Sequence, residues 1–349
     1  MAKAKSNGAL VGARCLVTGG GGFLGQALTR ALVARGCTVH VLDREPAPSD
    51  LPPEVRWCRG DIRDGEDVRR AMEGTDTVFH TAALIETAER APSEVVELVE
   101  SVNVGGTKTV LDAAVALGVR RLVHTSSTHV TYGKETVGAD ESGPYSESPN
   151  LYSITKVAAE RLVLEANGRG ALLTCAIRPG GIYGPGERKL IVGPMLRAVK
   201  RGAPIVIFGN GSSRLDFTYI DNAVDGQLRA ADRLVDASAV AGRAYFITDD
   251  QPVNPGALTI GVARAMGLAT PVVRVPRRVA MALASASELA YERFGTPPQV
   301  TRCSVALCCQ DNYFSIAKAR TDLGYEPLVD TSEGIRRAAR EAARYYGTL

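Results

Sequence analysis

The stretch Thr18-Gly-Gly-Gly-Gly-Phe-Leu-Gly25 decides the reading of this chain. It follows a β-rich apolar run at 14–18 and opens an amphipathic segment at 23–35, the strand–turn–helix setting that a phosphate-binding glycine loop requires. Gly19, Gly22 and Gly25 recur at a constant spacing. Gly19 suits the tight turn, Gly22 lets backbone approach a pyrophosphate, and Gly25 lets the helix pack close to the strand. The helix start at Phe23 and Leu24 offers N–H donors and the positive end of a dipole.

Working outward, the segments 14–18, 38–43, 55–58, 77–80, 121–125 and 172–178 read as buried strands. Helical patterns at 23–35, 66–72, 94–117, 152–167 and 189–201 alternate with them. This is the sequence form of βαβ units, so the expected fold is α/β, a doubly wound parallel sheet of the Rossmann type. Beyond residue 179 proline and glycine become denser, with short strands at 204–208 and 217–220 and helices at 222–233 and 332–346. The chain is expected to divide into a dinucleotide-binding domain over 10–178 and a smaller substrate-binding lobe over 179–349, partly interleaved with the sheet. Its 349 residues exceed the size at which one core stops growing.

Composition removes several function classes. Apolar residues are 45% and charged residues 23% of the chain, ordinary globular usage. The 41 basic and 38 acidic residues give a net charge of +3 without blocks of like charge, so no nucleic-acid footprint is present. Seven scattered cysteines without a C-x-x-C spacing argue against a disulfide framework and a zinc site, and fit a reduced, cytoplasmic compartment. His40, His80, His124 and His129 lack metal-ligand spacing, and no metal is expected. No apolar run is long enough to cross a bilayer, and no secretory h-region is present.

Asp43 ends the second predicted strand, where a carboxylate can accept hydrogen bonds from the adenosine ribose and repel a 2'-phosphate. That favours NAD; Arg44 beside it keeps NADP open, because a guanidinium can hold that phosphate. The Asp61-Ile62 turn after the third strand falls at the adenine end. In Tyr152-Ser-Ile-Thr-Lys156 the i, i+4 spacing puts a phenol and an ammonium on one helix face. The lysine charge is expected to draw the tyrosine pKa down and make an acid–base catalyst. Thr125-Ser126-Ser127 ends the fifth strand at the carboxyl edge, where such folds bind ligands.

Taken together, the glycine loop, Asp61-Ile62, His80-Thr81-Ala82-Ala83, Asn103, Thr125-Ser-Ser127, Tyr152/Lys156 and Arg178-Pro179-Gly-Gly-Ile-Tyr-Gly-Pro-Gly186 resemble the extended short-chain dehydrogenase/reductases. Within them the chain is most similar to the 3β-hydroxysteroid dehydrogenase family, including sterol-4-carboxylate 3-dehydrogenases. The similarity runs through Phe79-His-Thr-Ala-Ala-Leu-Ile85, Asp216-Phe-Thr-Tyr-Ile-Asp-Asn222, Tyr245-Phe-Ile-Thr-Asp-Asp250 and Asp322-Leu-Gly-Tyr-Glu-Pro-Leu328. The resemblance implies Tyr152 as proton acceptor from the substrate hydroxyl, Lys156 on the nicotinamide ribose, and a serine orienting the substrate oxygen. Ser127 matches that serine, with Ser126 as the alternative. It also implies that Thr81, Ala82, Ala83 and Pro179 line the cofactor and that Asn103 supports the active site. Asp249 and Asp250 match carboxylates linked to steroid Δ5–Δ4 isomerisation in isomerising members, so that activity stays open. Arg277-Arg278 and the weakly apolar helix after them lie where members contact membranes peripherally, and the superfamily's usual homodimer would pair helices 94–117 and 152–167.

The implied reaction is hydride transfer between a nicotinamide cofactor and a 3β-hydroxyl or 3-ketone of a steroid or sterol. Leu84, Ile85, Ile182, Leu190, Ile191 and Met195 are candidates for an apolar cleft. Thr128 and His129 stand where sugar-nucleotide dehydratases carry acids, and Arg214 is displaced by one from the position used for nucleotide phosphates. The alternatives are a reductase of long-chain 2-alkyl-3-oxo acids, a sugar-nucleotide epimerase or reductase, and a redox-sensing dinucleotide-binding protein without catalysis.

Overall fold

In the computed structural model, which describes residues 9–133, 136–188, 192–236, 238–268 and 271–346, the segment before the glycine loop forms β1 (Arg14–Thr18), buried at every residue but the first. The alternation of a strand divides it: Cys15 and Val17 face one apolar cluster and Leu16 the other. After the loop comes α1 (Phe23–Ala34), whose Leu24, Leu28 and Leu32 recur at helical spacing against the first cluster. There follow β2 (Thr38–Asp43), β3 (Arg56–Arg59), α2 (Gly65–Met72) and β4 (Thr77–His80), with Asp64 capping α2 through bonds from the Glu66 and Asp67 N–H groups.

The helix expected over 94–117 is three pieces: α3 (Ser93–Glu100), a π-helical turn (Ser101–Gly106) and α4 (Thr107–Ala116). The widened turn contains Asn103, and such turns recur at functional sites. Next come β5 (Arg121–Thr125), β6 (Thr136–Ala139), α5 (Leu151–Glu165), β7 (Leu173–Pro179) and β8 (Gly181–Tyr183). The remainder comprises α6 (Val192–Lys200), β9 (Ile205–Phe208), β10 (Phe217–Tyr219), α7 (Ile220–Arg233), β11 (Arg243–Ile247), α8 (Pro255–Ala265), β12 (Val272–Val275), α9 (Arg277–Phe294), α10 (Arg302–Cys308), β13 (Asn312–Phe314), α11 (Ala317–Leu323) and α12 (Thr331–Tyr346).

Seven strands form one parallel sheet in the order β3-β2-β1-β4-β5-β7-β11. α1 and α7 cover one face, and α2, α4 and α5 the other. The order reverses between β1 and β4, and the crevice beyond the carboxyl ends of these strands is where such sheets bind ligands. β11 comes from beyond residue 179 yet pairs with β7 in register from Arg243–Cys175 to Ile247–Pro179. The sheet thus draws on both sides of the expected boundary. Helix α6 begins at Val192, and residues 189–191 of the expected 189–201 helix lie outside the described residues.

Candidate active site

The glycine loop is shaped by contacts that only glycine permits. Gly19 has φ +71°, and a Cβ there would stand 2.7 Å from the Ala82 backbone. A Cβ on Gly25 would stand 2.2 Å from the Gly19 carbonyl, so α1 leaves the loop as close to β1 as backbone allows. Helix α1 starts after Gly22 with no side-chain cap, leaving its first-turn N–H groups, Phe23 and Leu24 among them, for a ligand. Asp43 at the end of β2 accepts from the Gly21 N–H at 2.8 Å and from the Glu45 N–H at 2.9 Å, which holds its carboxylate against the loop. Arg44 is largely exposed, 3.8 Å from Asp61. The Arg63 guanidinium forks onto Asp61 and holds that carboxyl below the usual carboxylate range. Ile62 is buried beneath Gly106.

On the facing side Thr81 donates to the Thr18 carbonyl at 2.7 Å, so the segment Thr81-Ala82-Ala83 runs along the loop, and Pro179 is buried at the end of β7. The expected dinucleotide residues therefore gather along the carboxyl edge of β1, β2 and β4, with Pro179 at the corresponding end of β7. The open helix start and a loop that would not admit Cβ atoms fit a dinucleotide phosphate.

Helix α5 is capped by Asn150, fully buried, whose Oδ1 accepts from the Ser153 N–H at 2.8 Å. The Tyr152 N–H bonds the Glu86 carbonyl at 2.8 Å, tying the helix start to the loop after β4. This places the Tyr152 phenol beside the Ser127 hydroxyl, which favours its ionised form. Ser127 in turn accepts from the His129 N–H at 3.2 Å, while the neighbouring Ser126 hydroxyl is buried without a protein partner. Of the two candidate serines, then, Ser127 meets the phenol. The His129 ring stands edge-on to Tyr152, centroids 5.1 Å apart.

Lys156 is 2% exposed and donates to the Thr125 carbonyl at 2.5 Å, with His124 Nε2 at 3.4 Å. Burial draws its pKa down to about 8, against which the Glu160 carboxylate pulls upward. Tyr152 differs from expectation: burial pushes its phenol up to about 12, and the Ser127 hydroxyl is what pulls it down. Lys156 does not figure among the influences on the phenol, and its ammonium bonds the Thr125 carbonyl.

Asn103 is 2% exposed and donates to the Leu84 carbonyl at 2.9 Å and to Thr155 Oγ1 at 3.0 Å, while its Oδ1 accepts from the Leu84 N–H at 2.8 Å. Both its donors are spent inside the protein, where it joins the loop after β4 to α5. Of the expected cleft, Leu84 and Ile182 are half-buried and Ile85 is 48% exposed; Leu190 and Ile191 lie outside the described residues, as does the Met195 side chain.

A family model described as the 3-beta hydroxysteroid dehydrogenase/isomerase family matches residues 16–277. The chain belongs to that family. It is 40% identical over 341 residues to the 3 beta-hydroxysteroid dehydrogenase/Delta 5-->4-isomerase of Mycobacterium tuberculosis strain H37Rv, covering 96% of this chain and 91% of that one. It is 36% identical over 337 residues to the 2-alkyl-3-oxoalkanoate reductase of Stenotrophomonas maltophilia, covering 95% and 99%. Among solved structures, the UDP-glucose 4-epimerase of Thermus thermophilus in complex with NAD superposes with a TM-score of 0.74 at 25% identity, covering 96% and 100% of the two chains.

Within the 3-beta hydroxysteroid dehydrogenase/isomerase family fold, the Asp249 and Asp250 carboxylates lie just after β11. Asp249 is buried and accepts from the Tyr219 N–H and Asn222 Nδ2, each at 2.7 Å; Asp250 pairs with Arg320 at 2.9 Å on the surface. Their bonds serve β10, α7 and α11. Arg214 pairs with Asp311 at 2.8 Å and is half exposed, while Leu215 turns inward. Among the described residues no group of His, Cys, Asp or Glu could hold a metal ion, and no helix is long and apolar enough to cross a membrane. Sequence reasoning missed the buried Glu160–Arg178 pair, although Glu160 continues the Tyr152–Lys156 spacing by one more helical step.

Proposed function

We propose that this chain is a NAD-dependent oxidoreductase that interconverts a 3β-hydroxyl and a 3-ketone on a steroid or sterol. The observation that carries this reading is the convergence of Ser127, Tyr152 and Lys156, with the phenol beside the serine hydroxyl and the buried ammonium one turn further along α5. Gly19, Gly22, Phe23, Leu24 and Gly25 would hold the pyrophosphate, and Asp43 the adenosine ribose. Bound NAD supplies a hydride acceptor at the nicotinamide. In oxidation Ser127 orients the substrate oxygen and Tyr152 takes its proton; in reduction Tyr152 returns it. Lys156, once drawn off the Thr125 carbonyl toward the nicotinamide ribose, brings its positive charge to bear on the phenol, which must lose its proton far below the pH that burial alone imposes. The rest of the rate comes from orientation by groups already fixed in place.

The substrate assignment rests on the 40% identity to the mycobacterial enzyme. Incubation with NAD or NADP and a panel of 3β-hydroxysteroids, including a 4-carboxysterol, tests it through reduced-nicotinamide absorbance. NAD-dependent turnover is expected. Silence with every sterol, together with activity on a long-chain 2-alkyl-3-oxo acid, would transfer the chemistry to that substrate. The same reading includes a homodimer through α3, α4 and α5, with Leu98 of α3, Leu117 just after α4 and Ile154 of α5 exposed by 40%, 42% and 49%; a monomer by light scattering would remove that part. It also includes peripheral membrane contact by α9.

A further inference from the structure

Helix α5 carries Tyr152, Lys156 and Glu160 at i, i+4 and i+8, one buried face with a phenol, an ammonium and a carboxylate in succession. Glu160 is fully buried and Arg178 on β7 is 4% exposed. The guanidinium grips the carboxylate through Nε at 3.0 and 3.2 Å and Nη2 at 2.6 Å. The Arg178 guanidinium stacks 5.6 Å from the Tyr145 ring and 5.3 Å from that of Phe246.

We propose that Glu160, fixed by Arg178, is a positioning residue that keeps the buried Lys156 ammonium charged and clamps the catalytic helix to the strand that ends at Pro179. A buried ion pair is seldom the most stable filling for its space, so its presence calls for a role beyond stability. The remaining groups facing Lys156 are the phenol of Tyr152 and two histidines of the sheet. His80 and His124 are fully buried and held neutral by burial and by Lys156 itself, with His80 brought down to about 3. Neither can balance the ammonium. Glu160 is the anion whose field reaches it. Arg178 keeps that anion from turning away.

The inference rests on the assignment of Lys156 to the cofactor, so the experiment separates the two. NADH binding is followed by its fluorescence across the neutral to alkaline range for the wild type, Lys156→Ala, Glu160→Gln and Glu160→Met/Arg178→Met; the double variant leaves no unpaired buried charge should the single one fail to fold. The wild type is expected to lose affinity as pH rises through about 8, Lys156→Ala to show no such limb, and both Glu160 variants to show it roughly one pH unit lower. A Lys156→Ala profile like the wild type's would overturn the Lys156 assignment and this inference with it. A flat Lys156→Ala profile with the wild-type limb in both Glu160 variants would overturn the inference alone.

Discussion

Asn103 reaches Thr155 across the helix layer at 3.0 Å while bonding both backbone groups of Leu84. One amide thus joins the π-helical turn, the loop after β4 and the helix segment between Tyr152 and Lys156. Asn103→Ala leaves the Leu84 N–H and C=O without these partners. It should cost about 1–3 kcal/mol in urea unfolding and lower turnover by roughly tenfold through misplacement of α5. Unchanged stability together with unchanged turnover would remove Asn103 from the support of the site.

On the proposed reading, Asp43 sets cofactor choice through the carboxylate it holds beside the Gly21 N–H. Asp43→Ser removes the repulsion of a 2'-phosphate and leaves the exposed Arg44 free to meet it. The ratio of kcat/KM for NADP to that for NAD should rise at least about tenfold, a change of about 1.4 kcal/mol. A ratio that does not move would place ribose recognition elsewhere.

The Rossmann half announces itself because its signals are local. A glycine loop fixed between a strand and a helix, strands buried on both faces and a Tyr–Lys pair on one helical face each declare themselves within a few residues. What escaped depends on contacts distant in sequence. The π-helical turn at 101–106 interrupts a pattern that reads as one helix. The Glu160–Arg178 bond joins a helix to a strand, and the seventh sheet strand, Arg243–Ile247, is recruited from the second half of the chain. β9 and β10 read as short strands, but their parallel partners β12 and β8, and both strands of the pair β6–β13, have only three or four residues and show no period of their own. The Tyr152 pKa differed for a related reason: the spacing of Tyr152 and Lys156 is local, but the burial that pushes the phenol up is built by the whole fold.

Asp216 is a buried acid with one oxygen accepting from the Phe314 N–H at 2.7 Å and the other without a protein partner. Burial pushes its carboxyl up to about 7, aided by the like charges of Asp250 and Asp249. The folded chain therefore keeps a proton that the unfolded chain releases above about pH 4, and this group's contribution to stability falls as pH rises from about 4 to about 7. Asp216→Asn retains the acceptor for Phe314 and abolishes the titration. Its melting temperature should fall less steeply than the wild type's over that window and exceed it at pH 8. Parallel curves would show that Asp216 is not the group responsible.

Helix α9 exposes Val279, Leu283 and Phe294 by 50%, 63% and 74%, on one face after Arg277 and Arg278. The account expects sedimentation with anionic liposomes, reduced several-fold by Leu283→Glu/Phe294→Glu and by high salt. Equal sedimentation of the wild type and this variant would dismiss the contact.

In the proposed reaction the Tyr152 phenol moves the proton. Tyr152→Phe keeps the ring packed against His129 and deletes the hydroxyl that meets Ser127. Steady-state turnover of the purified variant, with NADH affinity measured alongside, is the direct test. The account predicts a fall in kcat of at least about a hundredfold with cofactor affinity nearly unchanged; near-normal turnover would contradict it.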